Sequence, residues 1–455
     1  MAFYSPRNIG PADQVLFDAD GNAVGIQPAA SSSPPVLGFN PTKHAAIDSL
    51  VSAPWNRNSI VYLGDSNTAN AFNLAVPTAQ LTGEDGWPAW FEVFGGHALR
   101  RLNVAATGGH TTAQMLARLD SDVLAYAPGW CAVLGGTNDA STTTTVGAIT
   151  ENLEAIYDRL NSAGIKVLAL TIPPFGSSYA GFTVAKNLVI LGVNRWIKDY
   201  ATRTGNIIVC DAYAALIDPT ATTPTVVSGN LKVDDLHTAA QGARRVGAAA
   251  WAAISPHIQD RGYHVVSQAD RYDYDATSPQ LQANPLMVGT EAASAPATGT
   301  DATGMITERS GGGATIVASV AARADGFGND QIATVSATVL NDVVQIRCPS
   351  ITARVVAGQT LRGEMYVSCT GMTNVRSLYG ELVVTIDGVG YTARCLTESI
   401  TTMDQADLVN VVFRLPDLAL PASGSVTFAT MLMRVEFGGV GGCVLKVGRA
   451  STLVV

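Results

Sequence analysis

Residues 58–67 read Asn58-Ser59-Ile60-Val61-Tyr62-Leu63-Gly64-Asp65-Ser66-Asn67. Positions 59–63 combine β-branched and aromatic side chains, which suit the pleated surface of a buried strand. The run stops at Gly64, and each of the small polar residues that follow, Asp65, Ser66 and Asn67, can cap a helix N-terminus. The predicted local structure is therefore a strand that turns directly into a helix. Open α/β sheets bind ligands at the carboxyl edge of their strands, and the Ser66 hydroxyl falls at such an edge beside free backbone N–H groups. Ser66 is a candidate nucleophile. To act, it needs a base and a set of oxyanion donors elsewhere in the chain.

The surrounding pattern supports that placement. Strands are expected at 59–63, 100–105, 130–135, 166–172 and 206–210, with helical stretches between them, including 112–119, 146–163 and 238–254. The last is rich in alanine, and its Gly242 and Gly247 are expected to pack closely on the sheet. Strands alternating with helices imply a parallel sheet covered on both faces. Beyond residue 258 the texture changes to Val, Thr, Ala and Gly in short alternating stretches at 341–348, 361–369, 381–386, 408–415 and 425–437. This reads as an antiparallel β-sandwich or jelly roll, with 289–304 as its entry loop. Residues 1–50 form a third unit. In it, Gln14-Val15-Leu16-Phe17 and Ala23-Val24-Gly25-Ile26 flank an Asp20-Gly21 turn as a hairpin, and Ser31-Ser32-Ser33-Pro34-Pro35 is a linker. The unit is either a disordered leader or a docking peptide for a larger assembly.

A chain of 455 residues exceeds one ordinary core, and the three units 1–50, 51–258 and 259–455 divide it. With 47% hydrophobic and 14% charged residues the composition is globular. The 28 basic residues are outnumbered by 37 acidic ones and form no run, which argues against nucleic acid or an anionic membrane as a partner. Neither a secretion signal nor a membrane-spanning run is read, so synthesis in a cytoplasm is expected. The six cysteines have no Cys-x-x-Cys spacing, and Cys131 and Cys210 lie in expected buried strands. Reduced structural thiols are therefore expected, rather than disulfides or a metal site.

Of six histidines, only His237 follows a strand–helix junction with an acid nearby. In Val233-Asp234-Asp235-Leu236-His237, Asp234 precedes it by three residues, so one tight turn brings carboxylate to imidazole. That contact would fix the tautomer and stabilise the imidazolium formed during attack. Asp235 is nearer in sequence, but an offset of two points away on a turn. His110 and His97 read as polar surface or loop residues. Oxyanion donors could come from two Gly-rich loops after neighbouring strands. In Asn103-Val104-Ala105-Ala106-Thr107-Gly108-Gly109 a glycine lets a backbone N–H approach substrate, and in Leu134-Gly135-Gly136-Thr137-Asn138-Asp139 the Asn138 side chain offers an amide. Taken singly, each is also an ordinary glycine turn or strand-closing cap.

In this order the stretches resemble the SGNH (GDSL-like) hydrolase family. Gly64-Asp65-Ser66 matches its first block, Gly108 the glycine of the second and Asn138 the asparagine of Gly-x-Asn-Asp. Asp234 and His237 match the closing Asp-x-x-His. Gly86-Trp87-Pro88, Val193-Asn194-Arg195-Trp196 and Gly242-Ala243 add to the match. Asn67 stands where leucine is common, and Asp235 where glycine usually precedes Leu-His. The resemblance implies a flavodoxin-like three-layer sandwich with a five-stranded parallel sheet and an ester-cleaving activity that uses no metal or organic cofactor. It further implies a catalytic Ser66, Asp234 and His237, and an oxyanion hole from the Ser66 N–H, the Gly108 N–H and Asn138.

The flanks lie outside that resemblance. They look like those of a bacteriophage tail fibre or tailspike carrying an esterase, which implies a virion tail location, an O-acylated bacterial surface glycan as substrate, tail proteins docked through residues 1–50, and a homotrimer. All six tryptophans precede the β tail, so sugar stacking there would fall to Tyr366, Tyr379, Tyr391 or Phe413. Sugar binding and oligomerisation both remain open for that domain. The expected activity is a serine esterase acting on O-acyl, foremost O-acetyl, groups. The rival readings are a non-catalytic receptor-binding virion protein with a vestigial site and a general bacterial carboxylesterase or lipase.

Overall fold

In the strand Ser59–Gly64 (β1), Val61 and Leu63 face one apolar cluster while Ile60 and Tyr62 face another, and all four are inaccessible to solvent. Two-sided burial is why the strand reads as an uninterrupted apolar run rather than an alternation. The computed structural model describes residues 14–17, 23–27, 58–73, 79–142, 145–181, 183–222, 225–258, 280–396 and 403–455. Four further strands, Arg100–Ala106 (β2), Trp130–Leu134 (β3), Lys166–Leu170 (β4) and Ile207–Cys210 (β5), join β1 in an all-parallel sheet of order β2-β1-β3-β4-β5. The order reverses at β1, so the crevice at its carboxyl end is the topological switch point.

The short helix Ser66–Ala69 (α1) follows β1 directly. Val146–Ser162 (α5) and Val184–Arg203 (α6) cover one face through Ile149, Leu153, Ile156, Ile190, Val193 and Ile197. Trp87–Phe94 (α2) and Ala240–Ile254 (α7) cover the other through Trp87, Phe91, Val246, Ala250 and Ile254. The layered α/β fold is as expected, with two local corrections. The expected helix at 112–119 is two short ones, Thr112–Ala117 (α3) and Leu119–Asp122. Gly242 and Gly247 do not meet the sheet: a Cβ on Gly247 would lie 2.6 Å from Trp90 Cβ, and one on Gly242 2.0 Å from the Asn230 carbonyl oxygen. Their smallness serves a helix–helix approach and a loop approach instead.

Gln14–Phe17 pairs antiparallel with Ala23–Gln27, which agrees with the expected hairpin. The linker at 31–35 lies outside the described residues. Among those that are described, no helix is long and apolar enough to cross a membrane. All six cysteines are buried free thiols.

The C-terminal region is a β-sandwich built around two long strands, Thr360–Ile386 and Val426–Val454. They pair antiparallel along their length, and their register shifts repeatedly between Thr370 and Ser377. One half of the pair is flanked by Asn329–Ala337 and Leu408–Arg414, the other by Val343–Arg347 and Val389–Cys395. Each long strand thus serves both layers. Gly441 sits at the crossing, where a Cβ would meet the Thr373 carbonyl oxygen at 2.1 Å. The 289–304 stretch, expected as a loop, holds the short paired strands Glu291–Ala292 and Thr298–Asp301 at the sheet edge.

The sandwich is continuous with the α/β layer rather than tethered to it. Ala79–Thr82 adds a parallel strand to Val389–Cys395, and Phe72–Asn73 pairs antiparallel beyond it. Thr82 Oγ1 accepts the Leu396 N–H at 3.1 Å, and Glu84 Oε1 accepts the Leu378 N–H at 3.3 Å. Arg244 of α7, 5% exposed, donates to the carbonyls of Asp404 at 2.6 Å and Asp407 at 3.2 Å. Trp90, Val93, Ala240 and Ala243 share one apolar cluster with Leu408 and Phe413. Ala79–Thr82 and Glu84 are therefore spent on this seam. His97 is likewise no surface residue. Its side chain is 8% exposed, and Nε2 accepts the Arg414 N–H at 3.1 Å.

Candidate active site

At the end of β1 the chain turns sharply, and a Cβ on Gly64 would sit 2.3 Å from Thr68 Oγ1. Asp65 then caps α1, its Oδ1 accepting the Asn67 N–H at 3.0 Å. Ser66 opens the helix at the carboxyl rim of the sheet, as the small polar run after Gly64 implied.

His237 reaches Ser66 from a loop 171 residues away in sequence, and its Nε2 lies 2.8 Å from Ser66 Oγ. On the other side of the ring, Nδ1 lies 2.7 Å from Asp234 Oδ2. Asp234 Oδ1 accepts the backbone N–H groups of Leu236 and His237, both at 3.0 Å, so one carboxylate both forms the turn and engages the imidazole. Burial alone would raise the Asp234 pKa. The hydrogen bonds from the His237 ring and from the two N–H groups outweigh it and hold the carboxyl below its ordinary range. Asp235 points away from the ring, as its offset suggested, and meets the Ser178 N–H at 2.8 Å instead.

The histidine loop is tied down at its base. Lys232 N–H donates to the His237 carbonyl at 2.8 Å, closing the turn. Lys232 Nζ pairs with Asp85 Oδ2 at 2.9 Å, and Thr238 Oγ1 donates to the Asp85 carbonyl at 2.8 Å. The Thr238 N–H points to Asn67 Oδ1 at 3.4 Å. Asp85 and Asn67 were not singled out from sequence as supports for this loop. Asp85 adjoins the noted Gly86-Trp87-Pro88, but its partner Lys232 is distant in the chain.

The two expected donor loops meet each other, and the first adjoins the serine. A Cβ on Gly108 would come 3.8 Å from Ser66 Cβ, so its backbone adjoins the nucleophile. The Thr107 N–H donates to the Gly64 carbonyl at 3.1 Å, locking this loop to the end of β1. Asn138 lies on Thr137–Ser141 (α4), and its Nδ2 donates to the His110 carbonyl at 3.0 Å. An amide nitrogen carries two N–H groups, so this bond fixes the plane of the side chain and leaves the second available. Asp139 ties the loops together, accepting the Thr112 N–H at 2.9 Å and the Thr112 hydroxyl at 2.7 Å. His110 contributes its carbonyl here rather than its ring. Asn194, from the noted Val193-Asn194-Arg195-Trp196, binds both backbone groups of Ile172 at 2.7 and 2.9 Å and so orients the loop after β4.

Asp65 is fully buried, and burial pushes its carboxyl up to about 6 despite the Asn67 N–H, with Asp139 adding to the rise. Between about pH 4 and about pH 6 the folded protein holds a proton that the unfolded chain has released, so ionising Asp65 disfavours the fold as pH rises through that window. A rise from 3.8 to about 6 corresponds to roughly 3 kcal/mol. Asp65→Asn keeps a capping oxygen. Urea unfolding should show its stability advantage over the parent growing as pH is raised through this window; parallel pH profiles would refute this reading of Asp65.

Residues 62–245 match the sequence model of the GDSL-like Lipase/Acylhydrolase family. No curated protein matches the chain. Among solved structures it is similar to a lipase/acylhydrolase from Enterococcus faecalis, with 24% identity over 45% of this chain and 98% of that one and a TM-score of 0.37. A GDSL-like lipase from Bacteroides thetaiotaomicron aligns at 18% identity over 48% and 98% of the two chains, with a TM-score of 0.37. A catalytic mutant of an acetylxylan esterase from Geobacillus stearothermophilus aligns at 18% identity over 42% and 91%, with a TM-score of 0.34.

Proposed function

For a chain whose residues 62–245 match the GDSL-like acylhydrolase pattern, we propose a serine esterase that removes O-acyl groups, foremost acetyl, from a bacterial surface polysaccharide. The observation that carries the ester-cleaving part is the unbroken relay from Ser66 Oγ through His237 to Asp234, at 2.8 and 2.7 Å. Ser66 attacks the acyl carbonyl while His237 Nε2 takes its proton and passes it to the departing sugar alkoxide. Water, deprotonated by the same nitrogen, then hydrolyses the acyl-enzyme. The Ser66 and Gly108 N–H groups and Asn138 receive the oxyanion. Losing one such donor costs about 2.7–4 kcal/mol of transition-state stabilisation.

Glycan specificity and a virion-tail setting belong to the same proposal. They are supported by the hairpin-and-linker flank and by the β-sandwich, whose seam with the hydrolase layer gives an attached glycan a fixed position relative to Ser66. In that setting residues 1–50 dock to other tail proteins and the chain trimerises. The rival reading, a virion protein with a vestigial site, is disfavoured by the intact hydrogen bonding of all three triad residues. Incubation with panels of O-acetylated capsule and O-antigen should release acetate from a subset of them. Release from small aryl esters with none from any glycan would favour a general carboxylesterase.

A further inference from the structure

The position before Leu236-His237 has a backbone φ of +53°, the left-handed region where glycine is the ordinary occupant, yet it holds Asp235. A residue that accepts this conformation at some cost is expected to gain something from its side chain. Asp235 does so across the rim. Its Oδ2 accepts the Ser178 N–H at 2.8 Å, and its backbone carbonyl accepts the Gly176 N–H at 2.8 Å. The fit is reciprocal, because a Cβ on Gly176 would lie 2.3 Å from Asp235 Cγ. Gly176 is thus the one residue type that leaves room for the carboxylate.

The clamped segment follows β4, so it leaves the sheet at the same carboxyl edge as Ser66. It carries Phe175 and Tyr179, whose rings lie 5.0 Å apart, and both pack on the cluster that Leu236 also joins. The loop that follows β4 and the loop bearing the base are therefore joined by two hydrogen bonds and a shared apolar contact, with Asp235 at the centre.

We propose that Asp235 is a positioning residue that fixes the 175–179 loop against the histidine loop and thereby sets which acyl groups fit over Ser66. This rests on the esterase reading above. Without the carboxylate, the Ser178 N–H loses its acceptor and the 175–179 loop can move relative to His237, while the backbone at 235, better suited to glycine at this φ, stays in place. Size discrimination in such a site changes readily, since one methylene accounts for about 10- to 200-fold.

The full chain is compared with Asp235→Gly and Asp235→Asn by two readouts. Amide hydrogen exchange at Ser178 should quicken at least about tenfold in Asp235→Gly and stay near the parent in Asp235→Asn, which retains an oxygen acceptor. The ratio of kcat/KM for p-nitrophenyl acetate to that for p-nitrophenyl hexanoate should shift about tenfold in Asp235→Gly, mainly through KM, and be rescued by Asp235→Asn. Unchanged Ser178 exchange in Asp235→Gly would overturn the clamp whether or not the protein cleaves esters. Quickened exchange with an unmoved acyl ratio, in a parent that does turn over both esters, would overturn the role in specificity. A parent inactive on both esters would count against the esterase reading, and with it the specificity role, leaving the clamp to be judged by exchange alone.

Discussion

Ser66→Ala is expected to reduce p-nitrophenyl acetate turnover by roughly 10⁴- to 10⁶-fold, the loss seen when a triad nucleophile is removed. The size follows from what the hydroxyl alone supplies. Oγ is the atom 2.8 Å from His237 Nε2, and no other hydroxyl is bonded to that nitrogen among the described residues. Residual catalysis from oxyanion donors and binding can persist at about 10³–10⁴ over water, which the assay would read as near background. Folding should survive, because Asp65 rather than Ser66 caps α1. An unchanged thermal melt alongside lost activity is the expected pair of results. Turnover near that of the parent would remove Ser66 from the chemistry.

His237→Ala should produce a loss of similar order, roughly 10⁴- to 10⁶-fold in kcat, and the double variant with Ser66→Ala should be no worse than either single one. Groups that act as a unit are lost as a unit. The histidine loop should keep its shape without the imidazole, because Asp234 Oδ1 still accepts the N–H groups of residues 236 and 237. The Lys232–Asp85 pair and the Thr238–Asp85 bond also remain to anchor it. A double variant whose loss is the product of the single losses would show that the two side chains act separately.

Much of this site was legible because its determinants are local. Gly64 must let α1 approach the end of β1, and Asp234 must lie three residues before His237 to share one turn; both requirements are visible as spacing. The parallel sheet was legible for a related reason, since two-sided burial leaves apolar runs at 60–63 in β1, 130–134 in β3 and 167–170 in β4. The seam was not. Ala79–Thr82 pairs with a strand more than three hundred residues later, and nothing in its sequence distinguishes that partner from solvent. The same holds for Arg244, an arginine on an amphipathic helix whose acceptors are backbone carbonyls of another region. Asp235 lay in between: its unusual place before Leu236-His237 was visible, but its partner Ser178, 57 residues distant, was not. Of the two long strands, Thr360–Ile386 reads as two short stretches and Val426–Val454 is read only at its start, because alternation is interrupted where each crosses between layers.

Intact-mass spectrometry after reaction with a fluorophosphonate tests the nucleophile most directly, because only an activated serine is modified. One adduct per chain, mapped to Ser66, absent in Ser66→Ala and strongly slowed in His237→Ala, is the predicted result. No adduct on the parent, or one on a different serine, would contradict it.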